Sequence, residues 1–188
     1  MLTADDNGAR WFALRVKPRH EKCVASVLRN KGYTCFLPLY KRSRGRPYSY
    51  RYFALPLFPG YLFCRFNADL RLPILMTPSV IQVVGSGKTP VPIEDHEIDA
   101  VSTIVASGLA AEPWSYLRTG QTVTLAAGPL RGVAGVLLDF RPRARLVVSI
   151  ELLQRSVAVE IDREWVSPLP TACPPSTSDL RASTPRIA

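Results

Sequence analysis

The chain has 188 residues, of which 47% are hydrophobic and 21% charged, so it can bury the core of one domain or of two small ones. Its formal net charge is +9, and no apolar run approaches the roughly 20 residues that a membrane-spanning helix needs. The start of the chain carries Asp5 and Asp6 and has no apolar signal-peptide core. These features exclude a membrane-embedded class, and we expect a soluble protein of the cytoplasm.

The positive charge is concentrated in the first 54 residues, which contain 12 Lys and Arg and only 3 acidic residues. A concentrated basic region on a soluble protein favours a polyanionic partner, most often nucleic acid. The alternative is a solvated basic surface that has no partner and only keeps the protein soluble.

The cysteines and histidines indicate no metal site. No C-x-x-C pair is present, and no spacing matches a structural zinc site among Cys23, Cys35, Cys64, Cys173, His20 and His96. We expect no metal and no cofactor, and cysteines that are reduced and mostly buried.

The first predicted elements are a strand and an amphipathic helix. Residues 11–16 alternate with one strongly apolar side, and Pro18 ends the strand. From residue 19 to 31 the spacing becomes helical, with Cys23, Val24, Val27 and Leu28 on one side and Arg19, Lys22, Ser26 and Arg29 on the other. Gly32 ends the helix. We predict that the apolar side packs on a sheet and that the basic side faces solvent.

A second predicted strand, 34–40, leads into a basic stretch that reads as an exposed loop, with Lys41, Arg42, Arg44 and Arg46 around Gly45 and Pro47. Residues 48–53 can pair back across that loop. Pro59 and Gly60 mark a strand start or a bulge. Residues 61–66 are then predicted to form a central strand, because their side chains are apolar towards both faces.

The next segment contains a short predicted helix at 71–76 and a strand at 80–84. Gly87-Lys88-Thr89 imitates the end of a phosphate-binding P-loop, but Gln82 stands where that motif needs glycine, and prolines follow where it needs a helix. We predict no nucleotide site here. A helix instead begins after Pro92, with acidic residues in its first turn, and ends at Gly108.

Residues 109–117 have no clear period and are predicted to be a linker. Beyond them, short strands at 122–125, 133–140, 145–153, 156–161 and 164–167 predict a small β-barrel over 118–170. Alternation places Leu146, Val148 and Ile150 inward and Ser156 outward. The tail, 171–188, is rich in Pro, Ser and Thr, and we expect it to be disordered.

The start of this barrel resembles a KOW motif, Gly-Gln-Thr-Val-Thr-Leu-Ala-Ala-Gly-Pro-Leu-Arg-Gly-Val-Ala-Gly-Val at 120–136. Gly128, Pro129 and Gly132 allow a tight turn between the first two strands, and Gly135 permits close strand approach. KOW motifs occur in ribosomal proteins and in transcription factors. On this motif alone, a ribosome-associated RNA-binding protein remains an alternative function.

The N-terminal part resembles the N-terminal domain of the NusG family. The resemblance rests on Trp11 in the first strand, the basic helix, Phe-Leu-Pro at 36–38, Leu-Phe-Pro-Gly-Tyr at 57–61, Thr-Pro-Ser-Val at 77–80, Val-Gly at 84–85 and Pro-Val-Pro-Ile at 90–93. It implies an α+β fold in which an antiparallel sheet flanked by helices, over 10–108, is joined to an SH3-like barrel. The segment 154–161 is similar to specialised paralogues of the UpxY kind, and the family also includes RfaH.

The resemblance implies a monomeric transcription elongation and antitermination factor that binds the clamp of RNA polymerase and raises processivity. The implied polymerase-binding residues are Phe58, Pro59, Gly60 and Tyr61. A small-subunit ribosomal protein or Rho is a further implied partner, through the barrel. We expect no enzyme, because the sequence offers no nucleophile beside a base and no carboxylate pair.

The basic residues complete the predicted sites, and their charge favours contact with phosphates at the transcription fork. The predicted nucleic-acid-binding residues are Lys17, Arg19, His20, Lys22, Arg29, Lys41, Arg42, Arg44 and Arg46.

Overall fold

A computed structural model of the chain describes residues 8–44, 51–87, 89–115, 121–140 and 143–168. The N-terminal half contains β1 (Arg10–Val16), α1 (Glu21–Asn30), β2 (Thr34–Phe36), β3 (Leu39–Arg44), β4 (Arg51–Pro56), β5 (Tyr61–Phe66), α2 (Leu72–Leu75), β6 (Val80–Val83), β7 (Gly85–Ser86), β8 (Thr89–Pro90) and α3 (Asp95–Ser107). The C-terminal half contains β9 (Ala111–Ser115), β10 (Gln121–Leu125), β11 (Ala134–Phe140), β12 (Arg143–Ile150), β13 (Arg155–Ile161) and β14 (Val166–Pro168). Single 3₁₀ turns occupy Ala68–Leu70, Glu151–Leu153 and Arg163–Trp165.

The N-terminal half is built on a four-stranded antiparallel sheet in the order β2-β5-β1-β6. β5 lies inside this sheet, which confirms the predicted central strand. Leu62, Cys64 and Phe66 are buried in the cluster on one face, and Phe63 is buried in the cluster on the other. A strand that is apolar on both faces needs cover on both sides, and the two clusters provide it.

Helix α1 covers one face of the sheet with a buried stripe formed by Glu21, Val24, Ala25 and Leu28. The prediction that Cys23 belongs to the apolar side is wrong, because its side chain is exposed. The stripe keeps the three- and four-residue spacing of one helix face, and position 23 is turned about 100° away from position 24. The basic side of the helix faces solvent as predicted.

The basic stretch after β2 is strand up to Arg44, so the predicted loop conformation of residues 41–44 is wrong. β3 pairs with β4, and Lys41 lies opposite Ala54 and Arg42 opposite Phe53. Main-chain hydrogen bonds hold such a hairpin independently of its side chains. The polar side chains of residues 41–44 therefore gave a wrong prediction of a loop. Lys41 and Arg42 are exposed, and Arg46 lies outside the described residues.

β7 and β8 pair antiparallel, with Gly85 opposite Pro90 and Ser86 opposite Thr89, and α3 begins only at Asp95. The segment therefore lacks the helix that a P-loop requires directly after its threonine. Asp95 and Glu97 occupy the first turn of α3, and Gly108 ends the helix with φ 69°. Ile98, together with Val101 and Ile104, packs in the same cluster as Phe63.

The C-terminal half is a six-stranded antiparallel sheet in the order β14-β10-β11-β12-β13-β9. Leu146, Val148 and Ile150 of β12 are buried with Val157 and Val159 of β13, as their alternation predicts. The four-stranded and six-stranded antiparallel sheets, with α-helices of the described ranges in the N-terminal half, confirm the predicted α+β fold with a KOW-like second part.

Two features of this second sheet differ from the sequence expectation. Within the predicted linker, Ala111–Ser115 form β9, which pairs with β13; Pro113 is tolerated because β9 is an edge strand. Ser156, expected outward, is buried, and its hydroxyl shares a 2.7 Å hydrogen bond with that of Ser149 directly opposite. A hydroxyl satisfied in this way can be buried at little cost. The domain boundaries themselves stay a prediction.

Close contacts explain two glycines of the KOW-like motif, Gly128 in the turn between β10 and β11 and Gly135 within β11. Gly128 has φ +78°, and a Cβ there would lie 2.5 Å from Cδ2 of Trp165. A Cβ on Gly135 would lie 2.6 Å from the carbonyl oxygen of Val147 on the neighbouring strand. Both positions exclude any larger residue without displacement of the neighbour, which agrees with the tight turn and close strand approach predicted from the sequence.

Candidate functional site

Three hydrogen bonds hold the turn at residues 58–61, one within the turn and two to neighbouring elements. The amide of Tyr61 donates to the carbonyl of Phe58 at 3.0 Å, and the amide of Val16 donates to the carbonyl of Gly60 at 2.9 Å. The Gly60 amide donates to Oε1 of the buried Glu21 at 2.8 Å. Gly60 adopts φ +82°, which a side chain would disfavour. The turn is therefore a rigid platform attached to both β1 and α1.

The four predicted polymerase-binding residues differ sharply in exposure. Phe58 is 1% exposed, and its ring meets that of Phe63 edge to face with centroids 5.5 Å apart. Pro59 is exposed, whereas Gly60 and Tyr61 are half-buried. In this arrangement Phe58 is a core residue, and the side chains accessible on the turn are those of Pro59 and Tyr61.

The C-terminal sheet packs against this part of the molecule. One cluster of buried side chains contains Phe58 and Phe63 of the N-terminal half together with Leu146 and Val157 of the C-terminal half. Oε1 of Glu97 on α3 accepts a hydrogen bond from the amide of Glu151 at 2.9 Å. These contacts join the two halves across the face of the N-terminal sheet that carries Tyr61.

Tyr61 itself is covered by a residue of the C-terminal half. The guanidinium carbon of Arg155 lies 5.5 Å from the centroid of the Tyr61 ring. A cation over an aromatic face at this distance is attractive, and at an exposed site it is worth about 0.5–1 kcal/mol. Arg155 therefore covers one face of the Tyr61 ring.

The predicted nucleic-acid-binding residues fall into two sets. Lys17, Arg19, His20 and Lys22 are exposed in the turn before α1 and in its first residues, and Nδ1 of His20 lies 3.1 Å from the carbonyl oxygen of Pro18. Arg29, at the end of α1, donates to the carbonyl of Cys35 at 3.1 Å.

The second set, on β3, consists of Lys41, Arg42 and Arg44. The neighbouring Tyr40 packs against the cluster that contains Phe63, whereas α1 packs against the other cluster. The two sets thus come from elements on opposite sides of the sheet. Their role in nucleic-acid binding stays a prediction.

A cleft of about 580 Å³ separates β3 from the C-terminal sheet. Lys41 and Arg42 line one side, and Glu112, Arg145 and Glu160 line the other. Arg145 is held by Glu112 at 2.7 Å and by Glu160 at 3.6 Å. The two carboxylates therefore lower the positive potential that Lys41 and Arg42 would otherwise present here.

Within the described ranges, no group of three or more His, Cys, Asp or Glu side chains is placed to hold a metal ion. Among the helices of these ranges, none has the length and apolar character to cross a membrane.

Comparison with known proteins decides the family. The family described as "Transcription termination factor nusG" matches residues 9–102, half of the chain. The chain belongs to the NusG family. The resemblance noted in the sequence is thereby confirmed.

NusG relatives from several bacteria also match the chain. The transcription termination/antitermination protein NusG of Thermus thermophilus is 29% identical over 117 residues, which cover 56% of this chain and 64% of the relative. NusG of Pseudomonas aeruginosa is 31% identical over 110 residues, which cover 56% of this chain and 62% of the relative. The matches thus span slightly less than two thirds of the length of these NusG proteins.

A solved structure extends the likeness in fold to both halves. Thermotoga maritima NusG, 20% identical, matches with a TM-score of 0.57 over 87% of this chain and 99% of its own. At this level of identity the likeness concerns the NusG fold alone.

The sequence did not predict the roles of three residues: Glu21 holds the turn, Glu97 joins the two halves, and Arg155 lies over Tyr61. Glu21 and Glu97 lie in first helical turns, where an acidic residue is expected for helix stability alone. Their partners lie 39 and 54 residues away along the chain, so no local pattern of the NusG sequence reveals them. Arg155 lies in the segment 154–161, whose role stays a prediction.

Proposed function

We propose that this NusG-family chain is a transcription elongation and antitermination factor that binds the clamp of RNA polymerase and raises processivity. It acts by binding, without catalysis of its own. The observation that carries the proposal is the turn at 58–61, which presents Pro59 and Tyr61 from a platform fixed by Glu21 and Val16. A rigid aromatic anchor of this kind loses little conformational entropy on binding.

The covered state of Tyr61 sets a condition on this function. Arg155 lies over the ring that is proposed to meet the polymerase, and both halves share one buried cluster. Binding through Tyr61 therefore requires the C-terminal sheet to move away from the turn. The free energy of that separation is subtracted from the affinity for the polymerase.

Replacement of Tyr61 by alanine tests the polymerase contact. A buried aromatic anchor is worth about 2 kcal/mol, so the Kd for core RNA polymerase should rise about 30-fold. Tyr33→Ala is the matched control, because Tyr33 is also half-buried but packs against the opposite cluster. Equal affinities of Tyr61→Ala and wild type, with both proteins folded by circular dichroism, would refute the assignment.

The basic residues are proposed to contact nucleic acid beside the polymerase. Replacement of Arg42, Arg44 and Arg46 by serine should lower the slope of log K against log salt by about three, because each phosphate contact contributes about 0.9. The matched triple Lys17→Ser, Arg19→Ser and Lys22→Ser tests the set beside α1. If replacing one of these triples leaves both the affinity for nucleic acid and the salt slope unchanged, that set of basic residues serves solubility only.

We further propose a specialised, operon-directed paralogue, with a small-subunit ribosomal protein or Rho as a partner of the KOW-like part. Residues 154–161 support this, since the segment that resembles specialised paralogues also supplies Arg155 to Tyr61. Chromatin immunoprecipitation would test it. A specialised factor occupies a few long operons, whereas occupancy of most transcribed genes would indicate a general factor.

A further inference from the structure

Two cysteines face each other across neighbouring strands of the N-terminal sheet. Cys35 of β2 is paired directly with Cys64 of β5, and their sulfur atoms are 3.5 Å apart and share a hydrogen bond. Directly opposed residues of antiparallel strands have Cα atoms about 4.5 or 5.5 Å apart. Both spacings lie within the range of about 4.4–6.8 Å that a disulfide spans. The backbone is therefore already positioned for a bond between these two sulfurs.

The surroundings give the two thiols different roles. Cys64 is fully buried, whereas Cys35 lies half-buried on β2, an edge strand that a small oxidant can approach. Donation by the Cys64 thiol stabilises a Cys35 thiolate and lowers the pKa of Cys35, and the nearby Arg29 guanidinium lowers it further. The same hydrogen bond and burial raise the pKa of Cys64. Cys35 is thus the attacking thiolate, and Cys64 is the thiol that resolves it.

We propose that Cys35 and Cys64 are a redox-active pair. Peroxides oxidise the pair to a reversible cross-strand disulfide, which links edge strand β2 covalently to β5. The Cys35 thiolate attacks one peroxide oxygen, the O–O bond breaks, and the departing hydroxide takes a proton to become water. Cys35 is left as a sulfenic acid. The Cys64 sulfur then attacks the Cys35 sulfur, the S–S bond forms and the S–O bond breaks. The released hydroxide takes the Cys64 proton, so two thiols lose two electrons in all and hydrogen peroxide becomes two waters.

The test uses the full chain with Cys23→Ser and Cys173→Ser, which leaves only the proposed pair. The folded protein is treated with hydrogen peroxide, alkylated in denaturant and digested with trypsin. We expect the peptides 32–41 and 52–65 to be joined, with the loss of two hydrogen atoms, and to separate after reduction. Addition of Cys64→Ala should stop the reaction at a sulfenic acid on Cys35 that dimedone traps, whereas Cys35→Ala should leave Cys64 unmodified at the same dose.

Several results would overturn the proposal. One is full alkylation of Cys35 and Cys64 after a peroxide dose that oxidises the exposed Cys23 of the wild-type protein. A second is a disulfide that forms only between two molecules. A third is oxidation of Cys35 directly to a sulfonic acid. The stabilising effect of the disulfide is tested by thermal unfolding. The oxidised form should unfold at a higher temperature than the reduced form, because the bond constrains the unfolded chain between residues 35 and 64. An equal or lower melting temperature of the oxidised form would contradict the proposed cross-link between β2 and β5.

Discussion

Replacement of Phe58 by alanine is expected to destabilise the N-terminal half rather than to probe polymerase binding. The side chain is 1% exposed and contacts Phe63 edge to face at 5.5 Å. Truncation of a buried phenylalanine costs about 3–5 kcal/mol through lost burial and the cavity left behind. That is a large part of the roughly 5–15 kcal/mol by which a domain is stable. Phe58→Asp should be worse, since it also buries a carboxylate among the apolar side chains of the cluster.

Urea unfolding followed by far-ultraviolet circular dichroism measures this effect. With a loss of about 4 kcal/mol and a slope of about 2 kcal/mol per molar urea, the midpoint should fall by about 2 M. Tyr61→Ala is the matched variant, and its midpoint should fall much less, because Tyr61 is half-buried and its contact with Arg155 is worth about 0.5–1 kcal/mol. A Phe58→Ala midpoint within about 0.3 M of wild type would refute the reasoning, since Phe58 would then not be a core residue in solution.

The other predictions concern the C-terminal sheet and its contact with the N-terminal half. Arg155→Ala should lower the Kd for RNA polymerase about 2- to 5-fold, because it removes a contact worth about 0.5–1 kcal/mol that covers Tyr61; an unchanged or raised Kd would show that uncovering Tyr61 does not limit binding. Gly128→Ala should destabilise the fold by about 1–3 kcal/mol more than Gly132→Ala, because both have positive φ but only position 128 places a Cβ against Trp165; equal melting temperatures would contradict this. An isolated fragment 109–170 should give a β-type circular dichroism spectrum and melt above fragment 118–170, which lacks β9; a helical spectrum would point to refolding.

Much of the fold follows from local patterns in the sequence. The alternation in residues 61–66 places β5 inside its sheet, and the helical spacing after Pro18 predicts α1 to within two residues at its start. The glycines of the KOW-like turn likewise agree with the close contacts at positions 128 and 135. These features are predictable because side-chain direction repeats every two residues in a strand and every 3.6 in a helix.

Other features depend on contacts between residues that are distant along the chain. Residues 41–44 of β3 and the strand β9 were not predicted as strand, because backbone pairing with a neighbour, and not a pattern of apolar side chains, holds them in place. Ser156 could be buried only because Ser149 lies opposite it. The cover of Tyr61 by Arg155, the anchoring of Gly60 by Glu21 and the meeting of Cys35 with Cys64 arise in the same way. Local patterns and motifs therefore predict the family, the fold class and the elements with a regular repeat. Which side chains meet depends on register and packing, because these bring together groups that no local period relates.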